Sequence, residues 1–346
     1  MKFTLIGFDL AKNVFHYVGV DSRAKVLKKK CLKRAQVLAH FATLEPTTVV
    51  MEACSSAHYW ARELQTLGHK TMILPAQHVK PYRVGQKNDY NDAHAIAKAG
   101  LHGDIRPVVV KSEEQQSLQS IQTARALVVQ QRTALVNQIR GQLQELGHAV
   151  PQGVTSLRAA VARWIEPADE ALNPISKELL EMQYGMLKAL DQQLSWFDQR
   201  VRQFAREDER CKALQEIPGF GPVASMALLG WMGQPERFGK GRHAAAALGL
   251  VPSQNSSGGK SRLGKISKCG DPGVRCYVVH GARAALRAAM LKDKQDPLSR
   301  WAVALANRRG VNKATVALAN KIVRIAWAIL STGEAYRTPK TDPQLA

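Results

Sequence analysis

The sequence predicts an α/β domain followed by a long, mainly helical region, and three observations carry this. Short β-rich runs alternate with helical patterns through the first hundred residues. From Leu118 to Phe204 apolar residues recur at steps of three and four. Beyond Glu209 the composition shifts again, to apolar stretches separated by Pro and Gly turns. With 346 residues and 45% hydrophobic content the chain is long enough for two or three domains with a sizeable core. The expected divisions are 1–110, 111–208 and 209–346.

"KFTLIGF" (2–8), "VFHYVGV" (14–20) and "KVLKKKCL" (25–32) are short, β-rich and separated by turn signals such as "DSRA", which predicts a three-strand meander. A helix follows over about 35–44, then a buried strand "TTVVMEA" (47–53), a helix over about 56–67, a strand "KTMILPA" (70–76) and a helix from about Asp89. The order β-β-β-α-β-α-β-α is that of ribonuclease H-like domains, and one that an ordinary α/β domain also reaches.

Asp9 follows "FTLIGF" and Glu52 follows "TTVVM", so both lie at the ends of expected central strands, where an unpartnered carboxylate is costly. In "KNDYNDAHAIA" Asp89 and Asp92 stand at i and i+3, on one face of a helix. With the first and fourth strands adjacent and that helix across them, four carboxylates would meet, and their repulsion calls for cations. Magnesium suits such a site, because it takes hard oxygen ligands and a pair of ions serves both the attacking and the leaving oxygen of a phosphodiester. Singly, each acid has a plainer reading. Asp89 or Asp92 is then a helix cap or first-turn charge, Asp9 a turn residue and Glu52 an edge residue. Jointly the four favour the metal site.

Leu118, Ile121, Val128, Leu135, Ile139, Leu143 and Leu146 mark one long amphipathic helix, and Leu187, Leu190, Leu194, Phe197, Val201 and Phe204 mark a second. "GHAVPQGVTS" turns the chain between them, giving an antiparallel hairpin that either dimerises as a coiled coil or closes into an intramolecular bundle. Next, "IPGFGPVAS" sets a Pro-Gly-x-Gly turn between apolar helices. It looks like a helix-hairpin-helix element, in which Gly219 and Gly221 would offer backbone N–H groups to a DNA phosphate; an ordinary tight turn has the same glycines.

Residues 237–330 hold 18 Lys and Arg against three acids. Within them lies "VPSQNSSGGKSRLGKISKCGDPGVR". Gln254 stands where the Walker pattern needs its first Gly, which argues against nucleotide hydrolysis. What remains reads as a flexible, basic loop with Ser256, Ser257 and Ser261 beside Lys260, Arg262, Lys265 and Lys268, and Arg275 at its end. It either binds phosphate or supplies a serine nucleophile.

The formal net charge of +21 points to a polyanionic partner, nucleic acid before a membrane surface. No apolar run approaches the roughly 20 residues of a bilayer span and no signal peptide is evident, so no membrane association and a cytoplasmic location are expected. Five scattered cysteines, without a CxxC pair, read as reduced and structural.

"IGFDLAK", "VVMEACSSAHYWA", "KNDYNDAHAIA", "IPGFGPVAS" and "LGLVPSQNSSGGKSRLGKISKCGDPGVR" together resemble the DEDD, or IS-one-ten, family of insertion-sequence transposases over nearly the whole chain. The opening and "MEACSSAHYWAR" look like its IS-eleven-eleven branch. The resemblance implies a RuvC-like N-terminal domain, a coiled-coil middle and a C-terminal transposase domain. It implies Asp9, Glu52, Asp89 and Asp92 as the magnesium-binding acids and Ser257, followed by Gly258, as the nucleophile, with Ser256 beside it as the ambiguity. It also implies double-stranded donor and target DNA, an element-encoded guide RNA, and a homodimer or tetramer in which one subunit's acids meet another's serine. Two other functions use parts of the same pattern: a structure-specific nuclease with metal-activated water, and a non-catalytic nucleic-acid-binding protein.

Overall fold

The computed structural model describes residues 3–166 and 172–337. The chain divides into two compact units, residues 1–112 and 113–346.

The first unit is built on a five-stranded sheet in the order β3-β2-β1-β4-β5. Strands β1 (Leu5–Asp9), β2 (Val14–Val20) and β3 (Val26–Lys33) form the antiparallel meander. Its second turn is held by the Asp21 carboxylate, which accepts from the backbone N–H groups of Arg23 and Lys25. After helix α1 (Val37–Phe41), strand β4 (Thr48–Glu52) returns parallel to β1; β5 (Lys70–Leu74), reached through α2 (Ala57–Thr66), pairs parallel with β4. A short α3 (Ala76–Val79) leads to α4 (Asp89–Leu101).

Strand alternation gives the sheet two apolar faces. Ile6, Phe8, Val49, Met51 and Ile73 pack with Phe41 of α1 and Trp60 and Leu64 of α2. Leu5, Val18, Val50 and Leu74 face the other way, against Ala93, Ile96 and Ala97 of α4. Gly7 lies under α4 at such close range that a Cβ there would stand 2.1 Å from the Ala93 carbonyl oxygen and 2.5 Å from the Ala97 nitrogen. Only glycine allows this approach.

In the second unit α5 (Glu113–Glu145) and α7 (Pro174–Glu207) pair within the chain. Arg125 Nε meets Asp198 Oδ1 at 2.8 Å and Arg132 Nε meets Asp191 Oδ1 at 2.7 Å, so the numbering rises on one helix as it falls on the other. The pair is antiparallel and intramolecular. A helix absent from the sequence reading, α6 (Val154–Trp164), occupies part of the expected connection; its Leu157, Val161 and Trp164 are buried with Leu135, Ile139 and Leu187.

Beyond α8 (Glu209–Gln215) come α9 (Pro222–Met232), α10 (Gly241–Ala247), a two-stranded ribbon of β6 (Pro252–Gln254) and β7 (Leu263–Ile266), and helices α11 (Pro272–Leu291), α12 (Pro297–Arg309) and α13 (Val311–Thr332). Both α11 and α12 start on an Asp-Pro pair: Asp271 and Asp296 cap the first backbone N–H groups and proline fills the first helical position.

Two expectations are corrected. Helix α13 has 22 residues and contains an 18-residue window of mean hydropathy 1.3, so among the described residues one helix is apolar enough by length and composition to cross a bilayer. It is also a core element here: Leu318, Ala319, Ile322, Val323 and Ala326 pack with Leu248, Val278 and Ala302. The cysteines are free, as expected, but only Cys211 is buried, with its thiol pushed up to about 12 by burial and by Asp208. Cys31, Cys54, Cys269 and Cys276 are exposed and fill no core.

Candidate active site

The register of the sheet brings the first two acids together. β1 and β4 run parallel with Gly7 opposite Val50 and Phe8 opposite Met51, so the next step sets Asp9 beside Glu52 at the strands' C-terminal ends. Both follow residues of the α4 face by two positions, and so point toward α4. Helix α4 supplies the other two. Ala93 rests over Gly7; going from Ala93 to Asp89 retraces one helical turn, about 6 Å, and going from Gly7 to Asp9 advances two strand residues, about 6.6 Å. The helix start therefore arrives at the strand end. Asn88, not either aspartate, caps α4 by accepting from Asn91 N at 2.9 Å. That leaves Asp89 and Asp92 free of capping.

Electrostatics report the convergence. The Asp9 carboxyl is pushed from its ordinary 3.8 up to about 7, first by burial and then by the charges of Asp92, Asp89 and Glu52, with Lys87 opposing. Glu52 is raised by burial and by Asp92, and lowered by Lys87 and Arg83. Basic side chains already attend the site. Arg83 Nη1 stands 3.3 Å from Asp92 Oδ1, and His16 Nδ1 stands 3.3 Å from Asp89 Oδ2. His16 is the antiparallel partner of Asp9 on β2. Among the described residues no three His, Cys, Asp or Glu side chains stand close enough to hold one ion jointly as the side chains are placed. Their chemistry nevertheless suits a hard divalent cation: all four donors are carboxylates, and Asp9 feels the other three.

Sequence reasoning missed Arg83, Lys87 and His16. The first two fall in an irregular stretch without periodicity; His16 could be found only from the β1–β2 register.

A raised carboxyl sets a sign for stability against pH. The folded chain keeps a proton on Asp9 that the unfolded chain releases, so metal-free stability falls as pH rises from about 4 through about 7. Because Asp9 is partly exposed, the penalty above pH 7 is on the order of 1 kcal/mol after solvent screening. In a chelator, Asp9→Asn should melt a few degrees above the parent at pH 8 and converge with it near pH 5; parallel melting curves at both pH values would contradict this.

The serine segment is an ordered ribbon, which corrects the expectation of a flexible loop. Ser257 bridges to Lys260, whose N–H donates to the Ser257 carbonyl at 3.1 Å, around Gly258 at φ 55° and Gly259 at φ 73°. Two central residues of positive φ make a type I′ turn, which glycines permit at no steric cost. Ser256 Oγ is engaged, accepting from Arg262 N at 3.1 Å and from Gln254 Nε2 at 3.0 Å. The Ser257 hydroxyl, at the turn, makes no hydrogen bond among the described residues. Lys260, Arg262, Lys265 and Lys268 are exposed, and their charged ends have no partner among those residues.

The other predicted phosphate contacts fare differently. Arg275 Nη1 donates to the Leu248 and Cys269 carbonyls at 3.2 and 2.7 Å, so it braces the base of the ribbon. Gly219, at φ 94°, is pressed on α11, where an added Cβ would lie 2.5 Å from the Gly281 carbonyl oxygen. Gly221 is exposed at the start of α9 with open space around it.

Residues 6–148 match the transposase family DEDD_Tnp_IS110, and residues 211–296 match the family described as Transposase IS116/IS110/IS902. The chain is 42% identical over 338 residues to a probable family 20 transposase of Pseudomonas aeruginosa, covering 97% of this chain and 99% of that protein. It is 39% identical over 333 residues to the transposase for insertion sequence element IS1111A of Coxiella burnetii, covering 96% and 91% of the two chains. It is 32% identical to the transposase for IS1328 of Yersinia enterocolitica, covering 96% and 98%. With relatives this similar along almost its whole length, the chain belongs to the IS110 family of insertion-sequence transposases, enzymes that cleave and rejoin DNA.

Proposed function

We propose that this transposase is an RNA-guided serine recombinase that works as a dimer or tetramer on donor and target DNA in the cytoplasm. Its first unit is RNase H-like, a reading supported by the strand order β3-β2-β1-β4-β5 with only β1–β2 and β2–β3 antiparallel. Asp9, Glu52, Asp89 and Asp92 hold magnesium, and the observation that supports the reading is the β1–β4 register that sets Asp9 beside Glu52, with Asp89 reaching His16, the strand partner of Asp9, at 3.3 Å. When bound, magnesium supplies charge stabilisation at the phosphodiester oxygens.

The chain's own residues do the rest. Asp9 and Glu52 are fixed by the sheet and Asp89 and Asp92 by the first turn of α4, so the donor set is pre-positioned. At the ribbon, Ser257 Oγ forms a bond to the scissile phosphorus as the bond from phosphorus to one deoxyribose oxygen breaks. The hydroxyl proton leaves to a base and the released oxygen takes one up. Attack by a hydroxyl of another strand reverses these steps and rejoins the DNA. Lys260 and Arg262 balance charge on the phosphoryl oxygens.

The cationic excess of residues 237–330 makes affinity for nucleic acid a counterion-release effect. With roughly six to ten phosphate contacts, binding to the element's own noncoding RNA should weaken about 10³- to 10⁵-fold between about 50 and about 200 mM salt, and it should exceed binding to random duplex. Filter-binding or fluorescence titrations test this. Weak, salt-insensitive RNA binding would remove the guide-RNA reading.

A further inference from the structure

A cavity of about 260 Å³ adjoins the acid cluster, and its lining mixes both signs of charge, Glu52 and Asp92 with Lys80 and Arg83, beside the neutral amide of Gln77. Arg83 reaches Asp92 at 3.3 Å, with about a third of its side chain exposed. We propose that Arg83 is a built-in counter-cation that a divalent ion displaces from Asp92, and that the released guanidinium, with Lys80, then grips a phosphate of the nucleic-acid strand in this cavity. The proposal rests on the reading of the four acids as a divalent-ion site.

Competition follows from the atoms involved. A guanidinium and a metal ion seek the same carboxylate oxygens, and two positive charges side by side repel, so the two occupants weaken one another reciprocally. Arg83 can leave easily. It follows the 3₁₀ turn Lys80–Tyr82 in extended conformation, and its stretch runs into Gly85 at φ 84°, where an added Cβ would meet only the Asn91 amide, at 3.7 Å. Lys87 stays behind as the cation that steadies Asp9 and Glu52. Once free, Arg83 presents a planar fork of donors, the geometry that matches a phosphate, and Lys80 adds a point charge. The strand would thus be held firmly only after the ion has arrived. That order guards against a DNA strand filling the site of an enzyme without its metal.

Arg83→Gln keeps a polar, shorter amide at a partly buried position and removes the charge. Two calorimetric titrations test the idea on the full chain: Mg²⁺ into DNA-free protein, and a DNA oligonucleotide into protein in EDTA and in Ca²⁺, which replaces Mg²⁺ to restrain cleavage. The variant should bind Mg²⁺ about three- to tenfold more tightly than the parent. Its oligonucleotide affinity in EDTA should match the parent's, while the gain in affinity on adding Ca²⁺ should fall severalfold. Equal or weaker Mg²⁺ binding by Arg83→Gln, or an undiminished Ca²⁺ gain, overturns the role of Arg83 alone. A parent chain that binds Mg²⁺ no better than Asp92→Asn overturns the metal site and this inference with it.

Discussion

Asp9→Ala is expected to abolish strand cleavage, a fall of at least about a thousandfold, while the chain stays folded. The expectation follows from position. Asp9 ends β1 beside Glu52 at the end of β4, on a strand that passes under α4, and it is raised by all three other acids. No neighbour can replace its oxygens, because each of the others approaches from a different element. Folding should survive, since removing one charge from a metal-free set of like charges relieves repulsion. Glu52→Ala, at the matching end of β4, should lose cleavage to the same extent. Plasmid recombination scores both variants, with circular dichroism to confirm the fold. Normal recombination by Glu52→Ala would remove the acid cluster from the mechanism.

Ser257→Ala should keep DNA and RNA binding and yield no covalent protein–DNA adduct, whereas Ser256→Ala should keep at least part of the activity. The ribbon geometry separates the two. Ser256 spends its hydroxyl on Arg262 N and Gln254 Nε2, bonds that tie the strands together, and losing exposed bonds of this kind costs about 0.5–1.5 kcal/mol each at most. Ser257 spends nothing internally and opens a turn of two glycines, where backbone can approach a phosphate closely. In-line attack requires the oxygen within roughly 3–3.5 Å of phosphorus, so a neighbour one residue away, with its hydroxyl already engaged, is a poor substitute. Mass spectrometry of a trapped adduct should find the DNA on Ser257. Attachment at Ser256, or full recombination by Ser257→Ala, would falsify the assignment. Cleavage by the wild type without any adduct would instead favour metal-activated water.

Much of this site can be read from the sequence because strand ends and helix starts are local features. Asp9 and Glu52 directly follow continuous apolar runs, and Asp89 and Asp92 fall in a helical repeat. Other features are set by tertiary pairing and leave little local trace. Arg83 and Lys87 sit in a stretch with no period, so nothing ties them to acids on other elements. Pro and Gly signals before helix α6 mask it, although Leu157, Val161 and Trp164 keep a helical spacing. The ribbon reads as a loose loop because β6 and β7 are short and almost wholly exposed, leaving no apolar alternation; its one local signature is Gly258-Gly259. Arg275 reads as a phosphate contact from its basic loop and Gly219 from the Pro-Gly-x-Gly turn; that Arg275 also braces the ribbon and Gly219 also packs closely on α11 is set by tertiary contacts alone.

Gly7 bears no functional group, yet it governs the spacing of groups that do. Because α4 touches β1 there through backbone atoms, the helix has no soft side chain to compress, and any added carbon must lift it as a rigid rod. Asp92, next to Ala93, and Asp89, one turn before it, would withdraw together from Asp9 and Glu52. The aperture of the four-carboxylate cluster is therefore gauged by a missing methyl, and a neutral residue outside the chemistry acts as its shim.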